Sequence, residues 1–254
     1  MWILTGLPGV LTGALGEGVL RLAREKGLVE TAVVNLRDFA VDRHRTIDDA
    51  PYAGGPGMVL MVEPVVRAIR SLPDPAGRRE VLLLSPQGDV LTQGRVEELS
   101  ARDEIVLICG RYKGVDERIR TFTTGELSLG DFVLSGGELA AAAVADAVVR
   151  LIPGVLGCYD SALGDSFTSG LLDSAYYTRP EDFEGLRVPP VLLSGHHEKA
   201  QEWRRHDALR RTRARRPDLL AGADLTESDR AYLRRLEREE GAGPRPADKK
   251  GPGA

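Results

Sequence analysis

The chain is poor in the residues that build covalent staples and metal sites. Its two cysteines, Cys109 and Cys158, give neither a disulfide framework nor a metal-ligand spacing. Cys109 closes the apolar run IVLIC, where a reduced, buried thiol is expected. The four histidines form no HExxH pattern, so a zinc site has no support and no metal ligand is assigned. A reducing cytoplasm fits this composition. No apolar run reaches the roughly 18 residues that a membrane span needs. The opening MWILTGLPGVLTGALGEGVL is apolar, but no basic residue precedes Arg21, and it reads as a first strand and helix rather than a signal peptide. Neither GxxxxGK followed by Ser or Thr, nor GxGxxG between a strand and a helix, occurs, which argues against a nucleotide-phosphate site. The net charge of −4 rules out a chain that is basic all over and leaves room for a local basic patch.

What the sequence does have is alternation. Short aliphatic runs, WILT (2–5), TAVVNL (31–36), EVLLL (80–84), EIVLIC (104–109) and ELSLGDFVL (126–134), are the strand candidates. Between them lie segments of helical period such as VEPVVRAIRSL (62–72) and GRVEELSA (94–101). This order predicts an α/β domain with a largely parallel sheet over residues 1–157. The pattern stops after LIPGVLG (151–157). Residues 158–172 read as a polar linker, disordered in the free protein, and 173–240 as a helical domain. The tail 241–254 reads as disordered. From Glu198 a helix carries Lys199, Arg204, Arg205, Arg210, Arg211, Arg213, Arg215 and Arg216 against Glu202 and Asp207, and Pro217 ends it. Eight cations to two anions is more than a paired helix face needs, and clustered arginine suits phosphate. Trp203 and Tyr232 could stack on bases, although such aromatics favour a core or interface role. Thr226 to Asp229 reads as a helix-capping sequence.

Three strand ends run into glycine-bearing turns: Ser85 to Gly88, Gly110 to Gly114, and Leu134 to Gly137. Glycine lets backbone groups approach a ligand closely, and open α/β sheets bind ligands at the carboxyl ends of their strands. The three together point to a small-molecule pocket. Ser135 to Glu138 also has the form of a capping box opening the Ala-rich helix ELAAAAVADAVVRL. The loop DRHRTIDDAPYAGGPGM (42–58) is long enough to be functional, or simply a solvated connector. In ALGDSFTSGLLD (162–173), Asp165 is either a turn former or a catalytic base; the loop alone leaves both open.

As an ordered set, YAGGPGM (52–58), LSPQG (84–88), ICGRYKGVDER (108–118), LSLGDFVLSGGEL (127–139), RLIPGVLG (150–157), DSFTSGLLD (165–173), YYTRP (176–180) and VPPVLLSG (188–195) closely resemble the bacterial tRNA (guanine-N1)-methyltransferases that modify guanosine at position 37. The resemblance runs from Met1 to about Arg216. It implies a trefoil-knotted α/β methyltransferase domain, with helices on both faces of a largely parallel sheet, and a small helical C-terminal domain that helps grip tRNA. It also implies a homodimer with its active site at the subunit interface, S-adenosylmethionine as cofactor, and dependence on magnesium, although no compact carboxylate cluster marks an ion site. Matched residue by residue, Asp165 falls on the general base and Arg150 on an essential arginine. The cofactor would be held by Leu84, Ser85, Pro86, Gly110 and Tyr112, by Leu129, Gly130, Asp131, Phe132, Val133 and Leu134, and by Gly136 and Gly137.

Four positions depart from the family pattern. Lys113 stands where glutamate is usual, and a lysine suits the carboxylate end of the cofactor. Ala53 replaces a glycine, Ala140 a proline, and His196 an Asn or Asp. A non-catalytic RNA-binding protein is the competing class, favoured only by Lys113. A knotted methyltransferase with another RNA target is weakened by DSFTSGLLD. The retained Asp165 and Arg150 favour the enzyme.

Overall fold

Aliphatic runs such as EVLLL and EIVLIC have no polar face, so strands built from them need cover on both sides. In the computed structural model, which describes residues 1–156 and 165–241, they form the middle of a sheet. The strands are β1 (Trp2–Thr5), β2 (Ala32–Asn35), the short β3 (Asp48–Asp49) and β4 (Val59–Leu60), β5 (Arg79–Val90), β6 (Glu104–Cys109), the short β7 (Gly114–Val115) and β8 (Gly125–Ser128). Five of them pair in the order β2-β1-β6-β5-β8, every pair parallel. Around them stand α1 (Thr12–Gly16), α2 (Gly18–Glu25), α3 (Val62–Ser71), α4 (Gln93–Ser100) and α5 (Glu138–Val149).

Side chains alternate across a strand, and two separate core clusters follow from that. Ile3, Leu82, Leu84, Leu107 and Cys109 pack with residues of α2, α4 and α5. Leu4, Val81, Leu83, Val106 and Ile108 pack with Val65 and Ala68 of α3. Helices thus cover both faces, as the resemblance implies, of the mostly parallel sheet that the alternation predicts. A small three-stranded sheet, β3-β4-β7, ties the 42–58 loop to the chain just after β6.

Two local expectations fail, each for a visible reason. The strand expected over 126–134 ends at Ser128, whose Oγ bonds both Gly130 N–H (3.1 Å) and Gly130 C=O (3.2 Å). Gly130 then turns the chain at φ 145°. The capping box at Ser135–Glu138 does not form. The helix is capped at Gly137 with no side-chain bond, because Glu138 is buried and engaged by distant partners.

The chain divides into two compact units, residues 1–162 and 163–254. The second contains a hairpin, β9 (Asp182–Phe183) with β10 (Leu186–Arg187), and two long helices, His197–Arg215 and Glu227–Gly241. Its core is small: Leu171, Ala208 and Leu209, with Leu220, Leu225, Tyr232 and Leu233 against them. Tyr232 also stacks on His206 at 3.9 Å. Pro217 ends the arginine-rich helix and opens a 3-10 turn. The cap at Thr226 does form, Asp229 N–H donating to Thr226 Oγ1 (3.1 Å) and Thr226 N–H to Asp229 Oδ2 (2.9 Å).

Of the expected linker, Cys158 to Leu163 and Gly164 lie outside the described residues, as does the tail beyond Gly241. Residues 165–172 form a turn. Phe167 N–H donates to Leu171 C=O (2.7 Å), Leu172 N–H to Thr212 Oγ1 (2.8 Å), and Leu171 supplies a buried apolar anchor where few were expected.

Candidate functional site

Strands β6, β5 and β8 are neighbours in the sheet, so the Gly110–Gly114 turn after β6, the Ser85–Gly88 excursion within β5 and the chain that follows β8 lie together. They enclose a cleft of about 220 Å³, many times the roughly 10–15 Å³ that one water needs. All three glycine-bearing turns line it.

Close packing of backbone on backbone shapes the walls. β5 leaves its partner after Leu84, makes a four-residue excursion through Ser85 to Gly88, and pairs again from Asp89; Leu127 of β8 faces both Leu84 and Asp89. A Cβ on Gly88 would lie 2.4 Å from Leu127 N, so only glycine closes this return. The second and third turns are joined by Gly137 N–H to Gly110 C=O (2.8 Å) and by an Arg111–Gly136 bridge. A Cβ on Gly137 would meet Cys109 Cα at 2.8 Å. Tyr112 adopts φ 64° at the rim, and its phenol is pushed up by burial and then by its bond to Asp48 of β3.

Behind the cleft lies a buried carboxylate. Glu138 is 2% exposed; it accepts from Thr5 Oγ1 (2.7 Å) and from Arg111 Nη1 (3.0 Å). It sits in the first turn of α5, where the helix dipole favours negative charge. This one side chain joins the end of β1, the Gly110–Gly114 turn and the start of α5. Beside it Cys109 is fully buried, and that burial, with Glu138 nearby, pushes its thiol far above the ordinary range. It is a packing residue.

Leu84, Ser85, Pro86, Gly110, Tyr112, Leu129, Phe132, Val133, Leu134, Gly136 and Gly137 all line the cleft. Gly130 and Asp131 do not; Gly130 acts one step back, as the turn that presents Phe132. Arg150 is the C-cap of α5, whose 12 residues put it about 18 Å along the helix from the cleft. Asp165 belongs to the second unit, where its C=O accepts from Thr168 N–H (3.4 Å). Pattern reading passed over Arg120, which is ion-paired to Glu117 (2.9 Å) and Glu126 and donates to Gln87 Oε1 (2.9 Å). Its partners are scattered along the chain, so no local motif announces it.

In the second unit several arginines of the helix His197–Arg215 hold the unit together. Asp207 is buried and accepts from Ala175 N–H (2.8 Å), Arg211 (2.7 Å) and Arg210. Burial would raise its carboxyl, but these bonds outweigh that and lower it. Arg205 pairs with Asp229 (2.8 Å) and holds that carboxyl down to about 2. Arg216 pairs with Asp218 (2.6 Å). Lys199, Arg204 and Arg215 are exposed.

A parallel α/β sheet with a cleft over the carboxyl ends of three adjacent strands, lined by apolar side chains and backbone amides, defines an α/β protein with a small-molecule site. A family model described as tRNA (Guanine-1)-methyltransferase TrmD matches residues 1–222, and the chain belongs to that family. It is 50% identical to the tRNA (guanine-N(1)-)-methyltransferase of Dictyoglomus turgidum over 237 residues, 93% of this chain and 96% of that one. The Moorella thermoacetica protein of the same name is 50% identical over 242 residues, covering 94% and 97%. That of Desulfitobacterium hafniense is 53% identical over 223 residues, covering 88% and 85%.

Proposed function

We propose that this protein transfers a methyl group from S-adenosylmethionine to N1 of guanosine at position 37 of tRNA. The observation that carries the reading is the meeting of the three glycine turns around one cleft, in a chain of this family. The residues present suit the cofactor. Leu84, Leu129, Phe132 and Leu134 give the cleft an apolar lining suited to a flat base, and the Gly110 and Gly136 turns bring backbone to the same cleft. When bound, the cofactor supplies an electrophilic methyl on a positively charged sulfur.

The remaining chemistry falls to side chains. Guanine N1 carries a proton and is a poor nucleophile at neutral pH. Asp165 accepts that proton as the N1–methyl bond forms and the sulfur–methyl bond breaks. Negative charge moves to O6, where Arg150 stabilises it. Positioning of the two substrates matters as much as the base. Arg150 and the cleft occupy opposite ends of α5, which supports a homodimer in which a second copy completes the site. The three loops are read as the loops of a trefoil knot. In the helix His197–Arg215, Lys199, Arg204 and Arg215 are exposed cations that can meet tRNA phosphates. The setting is cytoplasmic. Among the described residues no group of three His, Cys, Asp or Glu side chains is placed to hold a metal, so the donor set does not fit a protein-held magnesium ion and no step is assigned to one. Among the same residues no helix is long and apolar enough to cross a membrane.

The test is methyl transfer from labelled S-adenosylmethionine to a tRNA transcript with guanosine at position 37, with an adenosine-37 transcript as control. Wild type should label only the first, and nucleoside mass spectrometry should identify 1-methylguanosine. Asp165→Asn should lower the rate by about 10²–10⁴-fold. Equal rates in wild type and variant would make Asp165 a turn former. tRNA binding without any transfer would favour the binding-protein reading.

A further inference from the structure

Four charged side chains line the cleft: Arg111, Lys113, Glu117 and Arg120. Three are matched within the protein. Arg111 has Glu138, while Arg120 and Glu117 have each other, and Arg120 also pairs with Glu126. Lys113 is exposed, and among the described residues no ion pair engages it. Its backbone is nonetheless held: Lys113 N–H donates to Met58 C=O (2.9 Å), and the next two residues form β7 against β4. Gly57 packs so closely that a Cβ there would come within 3.3 Å of Lys113 Cβ. The base of the side chain is fixed at the rim, and among the described residues its ammonium is the cleft's one uncompensated charge.

We propose that Lys113 determines which end of the bound cofactor's amino-acid group is gripped, by pairing with its carboxylate. This rests on reading the cleft as the S-adenosylmethionine site. The ligand carries a sulfonium and an ammonium, which a lysine repels, and one carboxylate, which it attracts. The arginines nearby already have carboxylate partners, so the ligand's anion falls to Lys113. A glutamate at this position would select the ammonium instead. The lysine therefore makes binding depend on the carboxylate and gives it a salt dependence.

The experiment is calorimetric binding of three probes, S-adenosylhomocysteine, its decarboxylated analogue and 5′-methylthioadenosine, to wild type, Lys113→Met and Lys113→Arg. Wild type and Lys113→Arg should bind S-adenosylhomocysteine about tenfold more tightly than the decarboxylated analogue. Lys113→Met should bind the two alike, with its affinity for 5′-methylthioadenosine unchanged, which also reports that the variant is folded. The same discrimination in wild type and Lys113→Met would overturn the proposal, as would a loss confined to tRNA binding, which would give Lys113 to an RNA phosphate. A wild type that binds none of the three probes would overturn the cofactor reading itself. A wild type that binds all three equally would overturn only the role of Lys113.

Discussion

Ala53 holds its backbone at φ 66°, a conformation that costs an L-residue roughly 1–2 kcal/mol relative to glycine. It sits in the YAGGPGM loop where the family pattern has glycine, and its side chain is exposed, so nothing in packing offsets the strain. Ala53→Gly should stabilise the protein by about 1 kcal/mol, read as a rise in the denaturation midpoint. Single residues were the hardest scale to read from sequence. The motif resemblance picked out most of the cleft, because glycine-rich strand ends announce themselves. Gly130 and Asp131, expected to hold the cofactor, are outside the cleft lining, and Gly130 turns the chain at φ 145°. Arg120 went unseen because its partners Gln87, Glu117 and Glu126 lie on three different segments.

At the scale of elements, two similar motifs had opposite fates. Thr226 and Asp229 cap each other as their spacing predicts, since both partners are local. Ser135 and Glu138 have the same spacing, yet Thr5 and Arg111 capture the glutamate from elsewhere in the fold. The central strands were legible because a sheet covered on both faces demands unbroken aliphatic runs. The run 126–134 pairs only as far as Ser128, because Leu129, Phe132, Val133 and Leu134 line the cleft instead. Glu138→Gln should cost about 3 kcal/mol, the low end for breaking a buried pair, because Arg111 keeps some access to water. The exposed Glu97→Gln should stay within about 0.5 kcal/mol. Urea titration of both variants checks the contrast.

The two units draw their stability from different sources. The first has an extensive core on each face of its sheet. The second has three buried apolar residues among those described and leans on Asp207 and Asp229, both held below the ordinary carboxylate range. A folded carboxyl lower than its unfolded value contributes stability above the unfolded value, about 4, and loses it as pH falls toward the folded one. For Asp229, held at about 2, the loss runs from about pH 4 down to 2. Trp2 and Trp203 are the only tryptophans, so in a Trp2→Phe background the fluorescence of Trp203 reports the second unit. Its denaturation midpoint should drop between pH 5 and pH 3 by more than that of the same protein carrying Asp229→Asn. The charge imbalance of its long helix suggested phosphate binding from sequence, but Asp229 and Asp218 lie beyond that helix. Counting along one segment therefore overstated how much arginine is left for RNA.

The excursion from Ser85 to Gly88 bears on how the protein can change over generations. Backbone pairing closes it at both ends against the same residue, Leu127. Gly88 cannot drift, since a Cβ there would meet Leu127 N at 2.4 Å, and an added or deleted residue would have to be absorbed between two pairings to that one residue. Descendants of a common ancestor should differ here by substitution, and alignments across this segment should run without gaps.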